Sequence, residues 1–189
     1  MGTNRLEAFS DGVIAIIITI MVLDLKVPAG TSPAALLHLW PTFLSYVLSF
    51  LLVAIYWVNH HHMIHLVRHV HAPMLWMNIN LLFWLSLTPF VTAYMGEHRA
   101  VPLSVALYGA VQVMSACSFG LLRHVIARAA AGDPKLAALH RHARRKVVTA
   151  ICLYLLSIPV AFVAVPLALL LIAAPAAMYF LPDRPTEPA

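Results

Sequence analysis

Apolar residues in this chain come in long blocks separated by short polar breaks, not in the alternating pattern of a surface strand or the one-sided stripe of a soluble helix. Val13 to Leu23 is aliphatic apart from Thr19, and several later blocks are as long. A helix needs about 20 mostly apolar residues to cross the hydrocarbon core of a bilayer. Six segments meet that length, at about 5–26, 34–60, 72–95, 102–127, 146–164 and 166–181. Breaks fall at Pro28 to Pro33, at the basic stretch His61 to His71, at Gly96 to Ala100, and at the Gly132–Asp133–Pro134 turn. Val147 to Leu181 is too long for one straight span and contains Pro159 and Pro166. It reads as two short spans joined near Val165–Pro166, with a single kinked or re-entrant helix as the alternative. The expected fold is an all-α integral membrane protein with six transmembrane helices in one domain, residues 1–181. Residues 182–189 are expected to form a disordered cytoplasmic tail.

Composition agrees. The chain is 62% hydrophobic and 10% charged, against about 45–50% and about 25% in soluble domains. Ser10 and Asp11 interrupt the first apolar block, so it reads as a retained span and not a cleaved signal. Cys117 and Cys152 lie in apolar stretches and read as small buried residues. Arg5, Arg68, Arg123, Arg128, Lys135, Arg141, Arg144, Arg145, Lys146 and Arg184 fall on one side of the spans, Lys26 and Arg99 on the other. That asymmetry puts both termini in the cytoplasm. The net charge of +5 is then explained by cytoplasmic loops, and no nucleic-acid partner is expected. The cluster His140 to Lys146 is expected to touch anionic lipid headgroups.

Polar chemistry is concentrated at the start of the first span, where Arg5, Phe9, Ser10 and Asp11 precede the aliphatic run. Charged groups at such a depth are costly unless paired or facing a protein interior. Arg5 and Asp11 are expected to bond to neighbouring helices. Beyond them, Ile16, Thr19 or Ile20, and Leu23 share one helical face. Periodicity alone does not distinguish a pore-lining isoleucine from one packed in a core or against lipid.

The second span ends in Trp57 and His60-His61-His62, with His65, His69 and His71 beyond. His61 with His65, and His65 with His69, have the i, i+4 spacing of a metal-binding pair, but no Asp, Glu or Cys lies near them in sequence. No structural metal and no cofactor are expected. His60 lies at the depth of Asp11, where a bond to Asp11 or Ser10 would satisfy both partners. Asn78 and Asn80 in the third span read as cross-helix hydrogen-bonding glue, and Pro89 as a kink. Asp24 either concentrates cations at an outer mouth or is a solvated helix end. No catalytic motif is visible, so an enzyme is not expected.

The motif Arg5-x-x-x-Phe9-Ser10-Asp11-Gly12 resembles the signature of the transmembrane-protein-175 potassium channels, lysosomal in animals and also found in bacteria. Trp57 with His60, and Asn78 with Pro89, resemble that family's second and third spans. The length resembles a bacterial single-repeat subunit. The resemblance implies a homotetramer in the bacterial plasma membrane, with a central pore lined by the first helix. It implies a hydrophobic constriction at Ile16, a hydroxyl ring at Thr19, and Ile20 and Leu23 completing the stripe, with K+ passing near Ile16 and Thr19. It also implies that Arg5, Phe9, Ser10, Asp11, Trp57, His60 and Asn78 form a network holding the first helix in place. Two other readings remain beside it: a proton-permeable channel or leak, and a metal-binding membrane protein built on His60 to His71.

Overall fold

The computed structural model describes residues 3–28, 30–65, 67, 70–129 and 134–180. Among them every regular element is a helix: α1 (Thr3–Leu23), α2 (Pro33–Leu37), α3 (Trp40–Ile64), α4 (Ala72–Ser86), α5 (Thr88–Glu97), α6 (Pro102–Ala129), α7 (Pro134–Ala161) and α8 (Val165–Phe180). Four stretches are long and apolar enough to cross a membrane: Thr3–Leu23, Trp40–Ile64, Ala72–Glu97 and Pro102–Ala129. α8 is equally apolar, but its 16 residues span only about 24 Å. Large apolar side chains on the outside, among them Phe43, Trp76, Phe83, Phe90, Leu155 and Leu170, suit a lipid environment.

Prolines set the interruptions. The stretch expected as one span at 34–60 is divided: α2 ends at Leu37, and α3 begins afresh with Pro41 in its first turn. Ser32 caps α2, accepting from the Ala35 amide at 3.2 Å. The third span is broken at Leu87, where Pro89 has no amide to donate to the preceding turn. The Leu87 amide bonds to Trp84 O at 3.2 Å, and Val91 N picks up Leu87 O, so α4 and α5 follow directly on one another as one apolar stretch, Ala72–Glu97. Pro159 and Pro166 flank a tight turn at 162–164, in which Ala164 N reaches Val160 O at 2.8 Å.

α7 begins at Pro134, well before the expected start of a fifth span at 146. Residues 135–145 contain neither Gly nor Pro and are mostly good helix formers, so the helix runs through the basic segment. Arg144, Arg145 and Lys146 therefore sit on a helix. The Gly132–Asp133 part of the expected turn, the side chains of His140 and Arg141, and the tail 182–189 lie outside what is described. Cys152 is exposed on α7 and Cys117 half-buried, so the two are not both core residues. Both thiols are free.

α6 is the most enclosed of those four membrane-length stretches and packs on α4, α5, α7 and α8. Two apolar cores form along it. One joins Ile14, Ile17 and Met21 of α1 to Tyr56 and Met63 of α3, Leu81 and Leu85 of α4, and Phe119 and Leu122 of α6. The other joins Val91 and Met95 of α5 to Tyr108 of α6, Tyr154 of α7 and Ile172 of α8. A hydroxyl cluster ties α3, α5 and α6 together: Ser49 Oγ is 2.6 Å from Thr92 Oγ1 and 2.8 Å from Tyr108 Oη.

At the same end of the bundle the chain leaves α5 through left-handed residues Arg99 (φ 49°) and Ala100 (φ 53°), and Ala100 N closes the turn on Met95 O at 2.9 Å. Lys26 and Glu97 form an ion pair there, and the hydrogen bond and charge of Glu97 raise the Lys26 pKa. The pair is solvent-exposed and contributes little to stability. Arg99 donates to His38 Nε2 at 2.6 Å, so that nitrogen is the unprotonated one.

Gly96 lies against α3 so closely that a Cβ there would meet Thr42 Cα at 2.9 Å. Gly96→Ala must push α5 off α3 and should cost about 1–3 kcal/mol, read as a lower melting temperature of the detergent-solubilised protein.

Candidate functional site

α1 is held in one rotation by its buried face, Leu6, Ser10, Ile14, Ile17 and Met21, at the 3–4 residue spacing of a single helical stripe. Ser10 is the polar member and is fully buried, as are His60 of α3 and Asn78 of α4. The Ser10 hydroxyl donates to Leu6 O at 2.8 Å and accepts from Asn78 Nδ2 at 2.9 Å. Asn78 Oδ1 then lies 2.7 Å from His60 Nε2. Because the Ser10 proton is committed to its own helix, Asn78 must present its NH2 to Ser10 and its carbonyl to His60. His60 is therefore the donor through Nε2, and its buried Nδ1 has no partner among the described residues. The bond expected from His60 to Asp11 or Ser10 is not made directly. Asn78 stands between His60 and Ser10, since only a side chain with both a donor and an acceptor can join the two.

Asp11 bonds elsewhere: Trp57 Nε1 donates to its Oδ1 at 2.9 Å. α1 and α3 run antiparallel, so one turn along the pair the partners become Glu7 and His61. Glu7 Oε1 is 2.8 Å from His61 Nδ1 and 3.3 Å from His65 Nε2. The first of these contacts lacks the angle of a hydrogen bond. Glu7 is distant in sequence from the histidines and is not expected beside them on that ground. The i, i+4 spacing of Glu7 with Asp11, set against Trp57 with His61, is the signal that pairs them in an antiparallel register.

Arg5 and Phe9 do not join this network. At 100° per residue they share the face of Gly12, Ile16, Thr19, Ile20 and Leu23, turned away from the buried stripe. All of these residues are exposed within the subunit, Ile16 at 58% and Leu23 at 79%. The signature is thus divided between two faces: Ser10 and Asp11 grip α3 and α4, while Arg5 and Phe9 extend the uncovered stripe. Within that stripe Thr19 Oγ1 donates to Ile16 O at 2.9 Å, which leaves its lone pairs free to accept. Asn80 of α4 donates to Ser118 of α6 at 2.7 Å, a cross-helix bond apart from the α1 site.

Residues 5–89 match the family described as the endosomal/lysosomal potassium channel TMEM175. A potassium channel of Chryseobacterium sp. (strain P1-3) is 43% identical over 187 residues, covering 99% of this chain and 97% of that protein. The chain belongs to the TMEM175 family. The crystal structure of a lysosomal potassium-selective channel TMEM175 homologue from Chamaesiphon minutus superposes with a TM-score of 0.84 at 28% identity, covering 94% of this chain and 96% of that one. The endosomal/lysosomal proton channel TMEM175 of Bos taurus is 37% identical over 86 residues, 39% of this chain and 18% of that protein. TMEM175 proteins are ion channels, not enzymes.

Asn78→Ala would leave both His60 Nε2 and Ser10 Oγ short of a partner in a buried site. It should cost about 1–3 kcal/mol in thermal unfolding. Trp57→Phe removes only a bond to a partly exposed carboxylate and should cost less than about 1 kcal/mol in the same assay.

Proposed function

We propose that this chain is a modestly selective potassium channel whose pore is lined by α1 of four identical subunits. The observation that carries the reading is the uncovered stripe Phe9–Gly12–Ile16–Ile20–Leu23. It is apolar, it is turned away from a face fixed by buried hydrogen bonds, and none of the described residues of the subunit packs over it. Copies of α1 meeting at a central axis would bring these residues into rings. A ring of Ile16 closes a narrow pore by dewetting and opens when it widens slightly. Thr19, one turn further, offers hydroxyl oxygens to a partly dehydrated ion and holds it weakly enough to release it. Potassium passes more readily than sodium because stripping water from the larger ion costs less. A hydroxyl ring replaces water less completely than a carbonyl cage, so the preference is modest.

In this reading the chain crosses the bacterial plasma membrane six times. The apolar halves of α7 and α8 make the last two crossings, and both termini are cytoplasmic. The basic N-terminal half of α7 then meets the anionic headgroups of the inner leaflet.

The test is reconstitution in a planar bilayer with potassium on one side, sodium on the other, and equal pH. The reversal potential should shift toward the potassium equilibrium value. Ile16→Asn should raise the current by wetting the constriction. An unchanged current in Ile16→Asn, with an altered one in Leu23→Asn, would move the constriction to Leu23. A second reading, proton conduction, is favoured by the name of the bovine relative. It requires a current that follows a pH gradient and persists without potassium.

A further inference from the structure

We propose that Glu7, His61 and His65 form a divalent transition-metal site bridging α1 and α3, with Zn2+ the ion that fits best. The site is separate from the uncovered stripe of α1 and does not depend on that stripe lining a pore.

Glu7 Oε1, His61 Nδ1 and His65 Nε2 all lie within 4.8 Å of one another. A tetrahedral zinc ion with bonds of about 2.0–2.2 Å places its ligand atoms about 3.3–3.5 Å apart. The Glu7–His65 separation of 3.3 Å already matches, and the Glu7–His61 separation of 2.8 Å needs only a small opening. The two imidazoles stand edge to face with ring centres 4.3 Å apart, the arrangement that i, i+4 spacing produces on one helix face. Each ring nitrogen, when unprotonated, and the carboxylate oxygen offers a lone pair that a cation can share. A bound cation satisfies all three together.

The donor set selects the ion. Two imidazoles and one carboxylate suit a borderline metal, whereas Mg2+ and Ca2+ prefer all-oxygen shells. Neither thiol is part of the cluster, so it lacks the soft ligands that favour Cu(I). The His65 side chain is 59% exposed and that of His61 38%, which leaves an entry path and room for water as a fourth ligand. The Glu7 side chain is only 18% exposed, which holds the carboxylate in place.

The bridge joins different helices. His61 comes from the last turn of α3 and His65 is the residue that caps that helix, while Glu7 comes from the second turn of α1, one turn before Asp11 and its bond to Trp57. Metal binding therefore adds a third tie between two helices already held through Asp11–Trp57 and the Ser10–Asn78–His60 relay.

The full-length oligomer in detergent, stripped with a chelator, is titrated with Zn2+ by calorimetry and with Co2+ by its visible absorption. Saturable Zn2+ binding at one ion per subunit is expected. Glu7→Gln and His65→Ala should each weaken it at least about tenfold. His62→Ala, a neighbour outside the cluster, should leave it unchanged. Zn2+ should raise the melting temperature of the wild type and not that of Glu7→Gln. Undiminished Zn2+ affinity in Glu7→Gln would overturn the bridge, because the α3 histidines would then bind alone. Absence of saturable binding, or an equal loss in His62→Ala, would overturn it as well. Glu7→Gln preserves the size and shape of the side chain while removing its charge and one ligand oxygen, so it decides the matter even if a histidine variant fails to fold.

Discussion

The buried relay from His60 through Asn78 to Ser10 and the Leu6 carbonyl is the constraint on which the rest of the subunit depends. Each member is fully enclosed, so none can turn to water for a substitute partner. Its direction is set as well: only one assignment of protons satisfies the chain. The three helices that supply it must then keep a single mutual rotation and height. Apolar packing alone would tolerate a slide or a twist of α1, because such contacts have no preferred direction.

Fixing the rotation of α1 has a consequence on its other side. Once Ser10 points into the bundle, Ile14, Ile17 and Met21 must follow it inward, and Gly12, Ile16, Ile20 and Leu23 must face out. The exposed stripe is thus the geometrical complement of the relay. This accounts for Ser10 and Asp11 of the motif, which bond to α3 and α4 and do not themselves line the stripe. They determine which aliphatic residues do.

Much of this can be read from the sequence, and the parts that cannot have identifiable causes. The uncharged blocks mark apolar helices because membrane length and composition are local properties. The division of the signature between two faces is also local, since it follows from helical angle, yet the grouping of Arg5 and Phe9 with Ser10 obscures it. The partners of His60, Asp11 and Glu7 are not local. They depend on the antiparallel register of α1 against α3 and on the depth of α4, neither of which periodicity encodes. The helical start of α7 is missed because a basic segment reads as a loop when hydropathy is the only guide, although its residues are good helix formers.

α1 is held unevenly along its length. Among the described residues, its side-chain bonds to other helices all come from Glu7, Ser10 and Asp11, apart from a weak contact of Thr92 with the Met21 sulfur at 3.9 Å. From Gly12 onward it rests on aliphatic surfaces, until Lys26 beyond its end meets Glu97. Mechanically the helix is bolted at its root by directional bonds, bedded further on in apolar packing, and tethered at its tip by one exposed ion pair. A bolt resists rotation and sliding alike, whereas apolar packing has no preferred direction, and Thr19 and Ile16 sit on the bedded part.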